Sequence, residues 1–290
     1  MAGFFGFFDY TKEGPGVDKD APPKAKILLF FEVFFRKFWK LIRLNIMFLI
    51  FNIPALAAMF IATHFIFQNA LTPDDMLSDL YLRFSLGAFL VCVPVITIGP
   101  AQAGFTYVLR NFSREEHAFL WWDFKDAAKQ NFKESMIISF IDFLMVILFG
   151  IAINFYGSYE GATVLTSIAS GFLLLAFVIF LMMHIYIYPM LVTFKLTVKQ
   201  IYKNALIFSL AKFLPNLGIL LLVFLLIQAS FLFYPVIGII LFIFITVSFM
   251  GYTTNFYAYP KLKKYIIDKI EEEDDEEYEE DDDDEGEKDS

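Results

Sequence analysis

Residues 136–155 read MIISFIDFLMVILFGIAINF, and Asp142 is the one charged side chain in this run. An α-helix rises 1.5 Å per residue, so a helix of this length measures about 30 Å, which matches the hydrocarbon core of a bilayer. Transmembrane β-strands instead alternate apolar and polar residues over about ten positions. The continuous apolar run therefore predicts a membrane-spanning α-helix.

Five other stretches of the chain share this pattern. With the first, the predicted spans are residues 44–67, 80–98, 136–155, 169–188, 214–233 and 236–258. Of the 290 residues, 58% are hydrophobic, whereas soluble domains average about 45–50%. The sequence thus predicts an all-α membrane protein, with a six-helix transmembrane domain over residues 27–270 embedded in the lipid bilayer.

The net charge of −9 is unevenly distributed. Residues 271–289 hold 16 of the 32 acidic residues, and the chain up to Ile270 has 22 basic against 16 acidic residues. Of the 23 Lys and Arg, 22 lie before the first predicted span, after the sixth, or in the connections after the second and fourth spans. Only Arg83 lies toward the opposite side of the membrane. Because basic residues accumulate in cytoplasmic loops, both termini are predicted to be cytoplasmic.

The two ends of the chain differ from the transmembrane domain. Residues 1–26 are punctuated by Gly and Pro, as in Gly14-Pro15-Gly16, and predict no regular structure. Residues 271–290 form an acidic tail that repels itself and cannot bury enough apolar surface to fold. We expect this tail to be disordered.

Two segments are typical of amphipathic helices that lie at the membrane surface. In residues 27–43, phenylalanines interleave with basic residues. In the connection after the second span, an apolar stripe lies beside a basic one, and Ser113–Glu116 has the pattern of a capping box that would start this helix. The stripe consists of Leu120, Phe124, Ala128 and Phe132.

Short near-copies suggest an internal repeat. Residues 129–133 read KQNFK, residues 199–203 read KQIYK, and residues 36–40 read RKFWK. Each copy precedes an odd-numbered span, and each pair of spans then returns to a proline: Pro100, Pro189 and Pro260. One interpretation is three repeated helical hairpins. The other is that any such hairpin needs basic anchors and a terminating proline on the cytoplasmic side.

Residues Gly99-Pro100-Ala101-Gln102-Ala103 resemble the Gly-Pro-Ala-x-Ala signature of the YesL-like family of bacterial membrane proteins. Tyr188-Pro189 followed by Tyr202-Lys203-Asn204-Ala205 resembles that family's second landmark, and Asn45 fits as well. The resemblance covers residues 35–263. It implies a domain of unknown function in the bacterial plasma membrane, linked to carbohydrate uptake, and supplies no catalytic residues. The long acidic tail departs from the family pattern.

Motifs for hydrolase, kinase, nucleotide-binding or zinc chemistry do not occur in the sequence. His64, His117 and His184 are scattered at spacings that do not suit a metal, and we interpret them as isolated packing or interfacial residues. Cys92 lies in an apolar run and is interpreted as an inert buried thiol. We therefore expect no enzyme activity, no cofactor, no metal and no nucleic-acid partner.

Asp142 is the strongest candidate for a functional residue. An ionisable group within a span faces the bundle interior and needs a partner. Ser135, Ser139 and Asp142 share one helical face, which should point into protein. The repeat offset of 70 residues equates Asp142 with Lys212, so the sequence predicts an Asp142–Lys212 ion pair. This pair would either join two hairpins or form a gate or a proton-coupled site.

Asn52-Ile53-Pro54 predicts a kink in the first span. Interrupted helices form binding sites in many transporters, but proline kinks also occur in spans without a transport role. Both interpretations stay open at this point.

Two functions follow from these features. The first is an accessory or regulatory partner of another membrane system, such as a carbohydrate transporter. The second is a small-solute transporter with a midplane site around Asp142, Lys212, Ser139, Asn52 and Pro54. A polar cavity among the spans would favour transport, whereas a closed bundle with an apolar outer groove would favour the partner role.

Overall fold

The computed structural model describes residues 25–66, 76–157, 163–232 and 235–268. Most of the predicted N-terminal segment and the whole acidic tail lie outside these ranges. By their contacts, the residues divide into two compact units, Met1–Arg36 and Lys37–Ser290. In the first unit, the start of a helix exposes several apolar side chains: Ile27, Leu28, Phe31 and Phe35.

The second unit holds nearly all the described elements, and none of the described residues forms a strand. The all-α prediction is confirmed. The helices are α1 (Lys26–Phe51), α2 (Ile53–Ile66), α3 (Met76–Cys92), α4 (Gly99–Ser113), α5 (Leu120–Gln130), α6 (Phe132–Gly157), α7 (Val164–Leu191), α8 (Val198–Ala211), α9 (Phe213–Leu232), α10 (Pro235–Leu241) and α11 (Val247–Leu262), with π-helical turns at Phe242–Thr246 and Lys263–Ile267.

Four described helical stretches are long and apolar enough to cross a membrane. They are Phe132–Tyr156, Val164–Leu191, Phe213–Phe231 and Pro235–Ile267. A fifth arises if α1 and the start of α2, bent by 68° at Asn52, count as one broken span. The apolar part of α3, Tyr81–Cys92, is shorter. The membrane-embedded character is thus supported, while the number six stays a prediction.

The sequence predicted that Pro100 would end a returning helix. It lies instead in the first turn of α4. Proline suits that position because the amide it lacks would have no intrahelical partner there. Helix α4 is buried over almost its whole length and packs against α5, α6, α7 and α11. It is the central element of the second unit, and the sequence did not predict it as a helix.

Two glycines permit this central position of α4. A Cβ atom on Gly99 would lie 1.9 Å from the Ser135 carbonyl oxygen, and one on Gly104 would lie 2.4 Å from the Phe124 carbonyl oxygen. Glycine therefore lets α4 approach the backbones of α6 and α5 more closely than any other residue would.

The predicted capping box at Ser113 is wrong, but the amphipathic helix that it was to start is present. Ser113 ends α4, and its hydroxyl donates to the Arg110 carbonyl oxygen at 2.7 Å. Helix α5 begins only at Leu120, where the Asp123 carboxylate accepts from the Phe119 amide at 2.9 Å. Phe124 is buried, as its stripe predicted, whereas Phe132 is exposed at the start of α6.

The repeated motifs differ in local structure. Residues 129–133 cross the end of α5 and the start of α6, whereas residues 199–203 lie inside α8. Pro189 lies two residues before the end of α7, and the helix after Pro260 continues into a π-helical turn. Pro189 and Pro260 thus each lie two residues before the end of an α-helix, whereas Pro100 lies at the start of one, and the threefold repeat stays a prediction.

Candidate functional site

The second half of α7 forms the core of the second unit, since residues 180–191 are all buried. On a helix, residues four apart share a face, and residues two apart point in nearly opposite directions. His184 and Tyr188 accordingly face α6, whereas Tyr186 faces α9 and α11. Polar groups therefore meet on two sides of α7.

Asp142 is the centre of the first polar cluster. Its side chain is completely buried, and its Oδ1 atom accepts a hydrogen bond of 2.6 Å from the Tyr202 hydroxyl. The Nε2 atom of His184, which is also completely buried, lies 3.1 Å from the same Oδ1. Asp142 thus connects α6 with α7 and α8.

The predicted ion pair between Asp142 and Lys212 is wrong. Lys212 is the residue that follows α8, and its ammonium lies 5.3 Å from the centre of the Tyr265 ring. The repeat offset misplaced this lysine because the helix break after α8 has no counterpart at Asp142, which lies inside the continuous helix α6. The actual partners of Asp142 are His184 and Tyr202.

His184 is therefore not an isolated packing residue. Asp142 lies ten residues after the start of α6, and His184 lies seven residues before the end of α7. In two helices joined as a hairpin, these distances place both groups at similar depth. The number of residues between each group and its helix end was therefore the sequence signal that could have predicted the Asp142–His184 contact. His117 does behave as predicted, since it is exposed and packs on Phe119, and the side chain of His64 lies outside the described residues.

Ser139 extends the cluster toward the turn between α3 and α4. Its hydroxyl donates to the Thr97 carbonyl oxygen at 2.9 Å and lies 3.3 Å from the Tyr188 hydroxyl. Ser135 and Asp142 are completely buried on the same face of α6. The prediction that this face points into protein is confirmed.

Three buried atoms of this cluster form no hydrogen bond of good geometry with any described residue. They are Thr97 Oγ1, Asp142 Oδ2 and His184 Nε2. The His184 ring also borders a cavity of about 10 Å³, which is lined by Val93 and Pro94 after α3, Ile185 of α7, three apolar side chains of α9 and Thr254 of α11. This volume is at the lower limit for one water molecule.

Tyr202 keeps its proton in this arrangement. Burial raises the pKa of its phenol, and the neighbouring Asp142 carboxylate raises that pKa further. The hydroxyl is therefore a permanent donor to Asp142 Oδ1. Lys203 and Asn204 follow it in the family motif, but Lys203 is exposed and Asn204 is half-buried. Neither side chain forms a hydrogen bond or an ion pair with Asp142, whose partners are Tyr202 and His184.

A second polar cluster lies on the other side of α7. Asn216 of α9 accepts hydrogen bonds from Tyr186 at 2.6 Å and from Tyr257 at 2.7 Å, and it donates to the Phe208 carbonyl oxygen at 3.0 Å. Sequence reasoning missed this cluster. The signal was the motif Tyr-x-Tyr-Pro, which occurs at residues 186–189 and again at residues 257–260.

Asn52 connects the helix break to the turn after α3. Its amide nitrogen donates to the Phe48 carbonyl oxygen at 2.9 Å, and its side-chain oxygen accepts from the Ile98 amide at 2.7 Å. The predicted kink is present, but Asn52 is buried and Pro54 is exposed. Asn52 and Ser139 bind adjacent residues of this turn, and Asn52 does not reach Asp142.

Asn45 has a structural explanation. Its amide nitrogen donates to the carbonyl oxygens of Phe242 at 2.9 Å and Ile243 at 2.7 Å, and its oxygen accepts from the Ser248 amide at 2.8 Å. A π-helical turn interrupts the regular i→i−4 ladder, and Asn45 supplies partners to the backbone groups around this one. The other motif positions also concern the main chain. Gly99 and Pro100 form the first turn of α4, and Pro189 lies in the last turn of α7.

Arg110 is a buried cation that sequence reasoning left among the cytoplasmic charges. Its guanidinium donates to the Val192 carbonyl oxygen at 2.6 Å and to Thr193 Oγ1 at 3.2 Å. Burial lowers its pKa, and the nearby Arg114 lowers that pKa further. The positive charge lies at the carboxyl end of α7, where the helix dipole favours a cation.

An apolar groove of about 410 Å³ opens where α1, α2, α3 and the helix after Pro235 meet. The bend at Asn52 and the π-helical turn at Phe242–Thr246 both border it. All of its lining side chains are apolar: Ile46, Leu49, Ile50, Ile53, Leu56, Met59, Phe84, Ala88, Ile239, Phe242 and Ile243.

Within the described ranges, no three His, Cys, Asp or Glu side chains are grouped as a metal site would require. Cys92 is buried, as predicted. The described structure thus offers two buried polar clusters and one apolar groove as candidate functional features.

Comparison with known proteins gives one finding. A family model described as "Protein of unknown function, DUF624" matches residues 33–155, a stretch that contains Asn45, Gly99, Pro100 and Asp142 but neither His184 nor Tyr202. The search of curated proteins and the search of solved structures found no match. Over residues 33–155, the chain is similar to the DUF624 family, and this similarity and the long apolar helices fit an integral membrane protein of unknown function.

Proposed function

We propose that this protein is an accessory or regulatory partner of another membrane system, such as one for carbohydrate uptake. The observation that supports this proposal is the apolar groove beside α1 and α2, which is open and has no polar lining side chain. A transported hydrophilic solute would require the opposite lining. The link to carbohydrate uptake rests on the resemblance to the YesL-like family.

The expected occupant of the groove is a transmembrane helix of the partner protein. Helices associate in a bilayer mainly through close van der Waals packing, because lipid tails are as apolar as the helix surfaces. A concave surface offers more packing contacts than a convex one. Ala88 lies among the lining residues, and such a small side chain allows a neighbouring backbone to come close.

Site-specific photo-crosslinking in native membranes tests this proposal. A photoreactive amino acid at Ile53, in the groove and 60% exposed, is compared with one at Ile151, on α6 and 63% exposed. We expect a crosslink from Ile53 to a membrane subunit of a carbohydrate uptake system and none from Ile151. Lipid adducts at both positions, without a protein adduct, would contradict the proposal.

A functional test accompanies the crosslink. Ile53→Trp fills part of the groove, whereas Ile151→Trp adds the same bulk to an equally exposed site elsewhere. We expect Ile53→Trp to lower uptake of the sugar that the partner transports, and Ile151→Trp to leave uptake unchanged. Equal uptake in both variants would exclude the groove as the partner site.

We further propose that six spans cross the bacterial plasma membrane and that both termini are cytoplasmic. The distribution of basic residues supports this topology, since 22 of 23 lie in segments of the same predicted side. Four described stretches have the required length without further assumption. Of the remaining two spans, one would consist of α1 together with α2, and the other would be α3.

The second candidate function is transport of a small solute past Asp142. The buried carboxylate in α6 favours it, because ionisable groups within spans are rare and often belong to transport pathways. Its site would consist of Asp142, His184, Tyr202 and Ser139, without Lys212. Solute flux into liposomes that contain the purified protein, and its loss in Asp142→Asn, would support this function over the partner role.

A further inference from the structure

The position of His184 determines which of its ring nitrogens has a hydrogen. The Nδ1 atom lies 2.8 Å from the Phe180 carbonyl oxygen. A carbonyl oxygen can only accept a hydrogen bond, so Nδ1 must be the donor. The Nε2 atom of a neutral ring would then have a lone pair and no hydrogen.

That Nε2 atom lies 3.1 Å from Asp142 Oδ1, and both side chains are completely buried. If His184 were neutral and Asp142 ionised, two acceptor atoms would face each other and a negative charge would be buried without a cation. Such a charge is very costly in an apolar interior. One proton bound to the pair removes both problems.

We propose that Asp142 and His184 together form a buried binding site for a single proton between α6 and α7. The proton lies either on Nε2, which gives an imidazolium beside a carboxylate, or on the carboxyl group, which gives two neutral side chains. Both forms have zero net charge. Nε2 has no well-formed hydrogen bond to a described residue and faces Oδ1 at 3.1 Å, so in either form the proton lies between these two atoms.

Among the described residues, the groups given around the pair bring no compensating charge to Asp142 other than His184. Tyr202 of α8 donates to Oδ1, and Tyr188 of α7 lies beside Ser139. From α4, the charged group is Arg110, whose guanidinium is bound at the end of α7 instead. The described side chains of α2, at residues 53–59, are all uncharged. Asp142 forms no ion pair with a described lysine or arginine.

This site goes beyond the accessory role and does not depend on it. A buried pair that binds one proton makes the charge of the bundle interior depend on proton uptake and release.

Nuclear magnetic resonance of the purified protein in nanodiscs counts the protons directly. The chain has 3 His, so a His64→Gln, His117→Gln background leaves His184 as the only source of imidazole ¹⁵N signals. The ¹³C signal of the Asp142 carboxyl group is assigned by its loss in Asp142→Asn. Spectra are recorded near pH 8, where an ordinary imidazole with a pKa of about 6.5 is neutral.

We expect one proton on the pair. An imidazolium spectrum with an ionised carboxylate, or a neutral Nδ1-protonated ring with a protonated carboxyl group, supports the proposal. A neutral ring beside an ionised carboxylate would overturn it, and so would a neutral ring protonated on Nε2 rather than Nδ1. The protons are counted in a chain with Asp142 and His184 intact, and the Asp142→Asn variant serves only to assign the carboxyl signal.

Discussion

At the scale of single residues, buried polar groups explain several positions that the sequence only marked as unusual. Asn45 uses both ends of its amide to bind three backbone groups around the π-helical turn. Asn216 joins α7, α8, α9 and α11. Each of these side chains replaces water that the membrane interior does not supply.

Asn45→Ala should lower the stability of the protein. It would leave the Phe242 and Ile243 carbonyl oxygens and the Ser248 amide without their partner, and a buried unsatisfied group costs about 1–3 kcal/mol. Unfolding followed by circular dichroism in detergent measures this loss. Asn204→Ala is the control, because Asn204 is half-buried, and it should change stability little. Equal losses would show that the π-helical turn does not need Asn45.

Gly99→Ala should be strongly destabilising, since its Cβ would lie 1.9 Å from the Ser135 carbonyl oxygen. Gly171→Ala is the matched control, because that position has nothing within 4 Å. In a helix, the change from Gly to Ala is favourable by about 1 kcal/mol. The two variants should therefore shift the unfolding temperature in opposite directions. A stable Gly99→Ala protein would contradict the close contact of α4 with α6.

Sequence reasoning predicted the burial of Asp142 and the inward face of Ser135 and Ser139 but not the partner of Asp142. Helical periodicity places residues around one helix, and hydropathy places them in depth. Neither states which helix lies opposite. The repeat offset was used to fill that gap and selected Lys212, while the hairpin geometry of α6 and α7 placed His184 there instead.

At the scale of helices, α4 organises the second unit although no hydropathy signal marked it. Its sequence contains Gly99, Pro100, Gln102, Gly104 and Arg110, which lower both its mean hydropathy and its helix propensity. It is helical because α5, α6, α7 and α11 surround it. Burial by protein rather than by lipid removes the need for an apolar surface of spanning length, so the six-span pattern could not predict it.

The contact of α4 with the end of α7 depends on Arg110. Arg110→Ala should lower the free energy of unfolding by about 2–3 kcal/mol, because hydrogen bonds to charged groups contribute about 1.5–3 kcal/mol. Arg114 is the control: it is exposed, and its pair with Glu116 is of the surface kind that contributes about 0–1 kcal/mol. A larger loss in Arg114→Ala than in Arg110→Ala would contradict this assignment.

At the scale of the whole molecule, the distribution of charge limits the number of spans. Basic residues precede the first predicted span and follow the second, and the proposed topology therefore puts both segments on one side of the membrane. Helices α1 with α2, and α3, must then both cross the bilayer or both fail to cross it. A total of six or four is consistent with this requirement, whereas five is not.

Length alone does not decide between six and four. Helix α2 has 14 residues and α3 has 17, and at 1.5 Å per residue neither reaches about 30 Å by itself. The apolar end of α1 continues into α2 through the bend at Asn52. Hydropathy averaged along the chain could not predict how α1, α2 and α3 divide this region, because it does not detect the bend at Asn52 or the early end of α3 at Cys92.

Labelling of single cysteines in intact cells tests the proposed topology most directly. In a Cys92→Ser background, cysteines are placed at Asp74, between α2 and α3; at Val164, the exposed start of α7; and at Lys199, the start of α8. A membrane-impermeant thiol reagent should label the Asp74→Cys and Val164→Cys proteins and leave Lys199→Cys unlabelled until the cells are opened. Protection of Asp74→Cys together with labelling of Val164→Cys would reduce the count to four spans, and labelling of Lys199→Cys would contradict the cytoplasmic position of both termini.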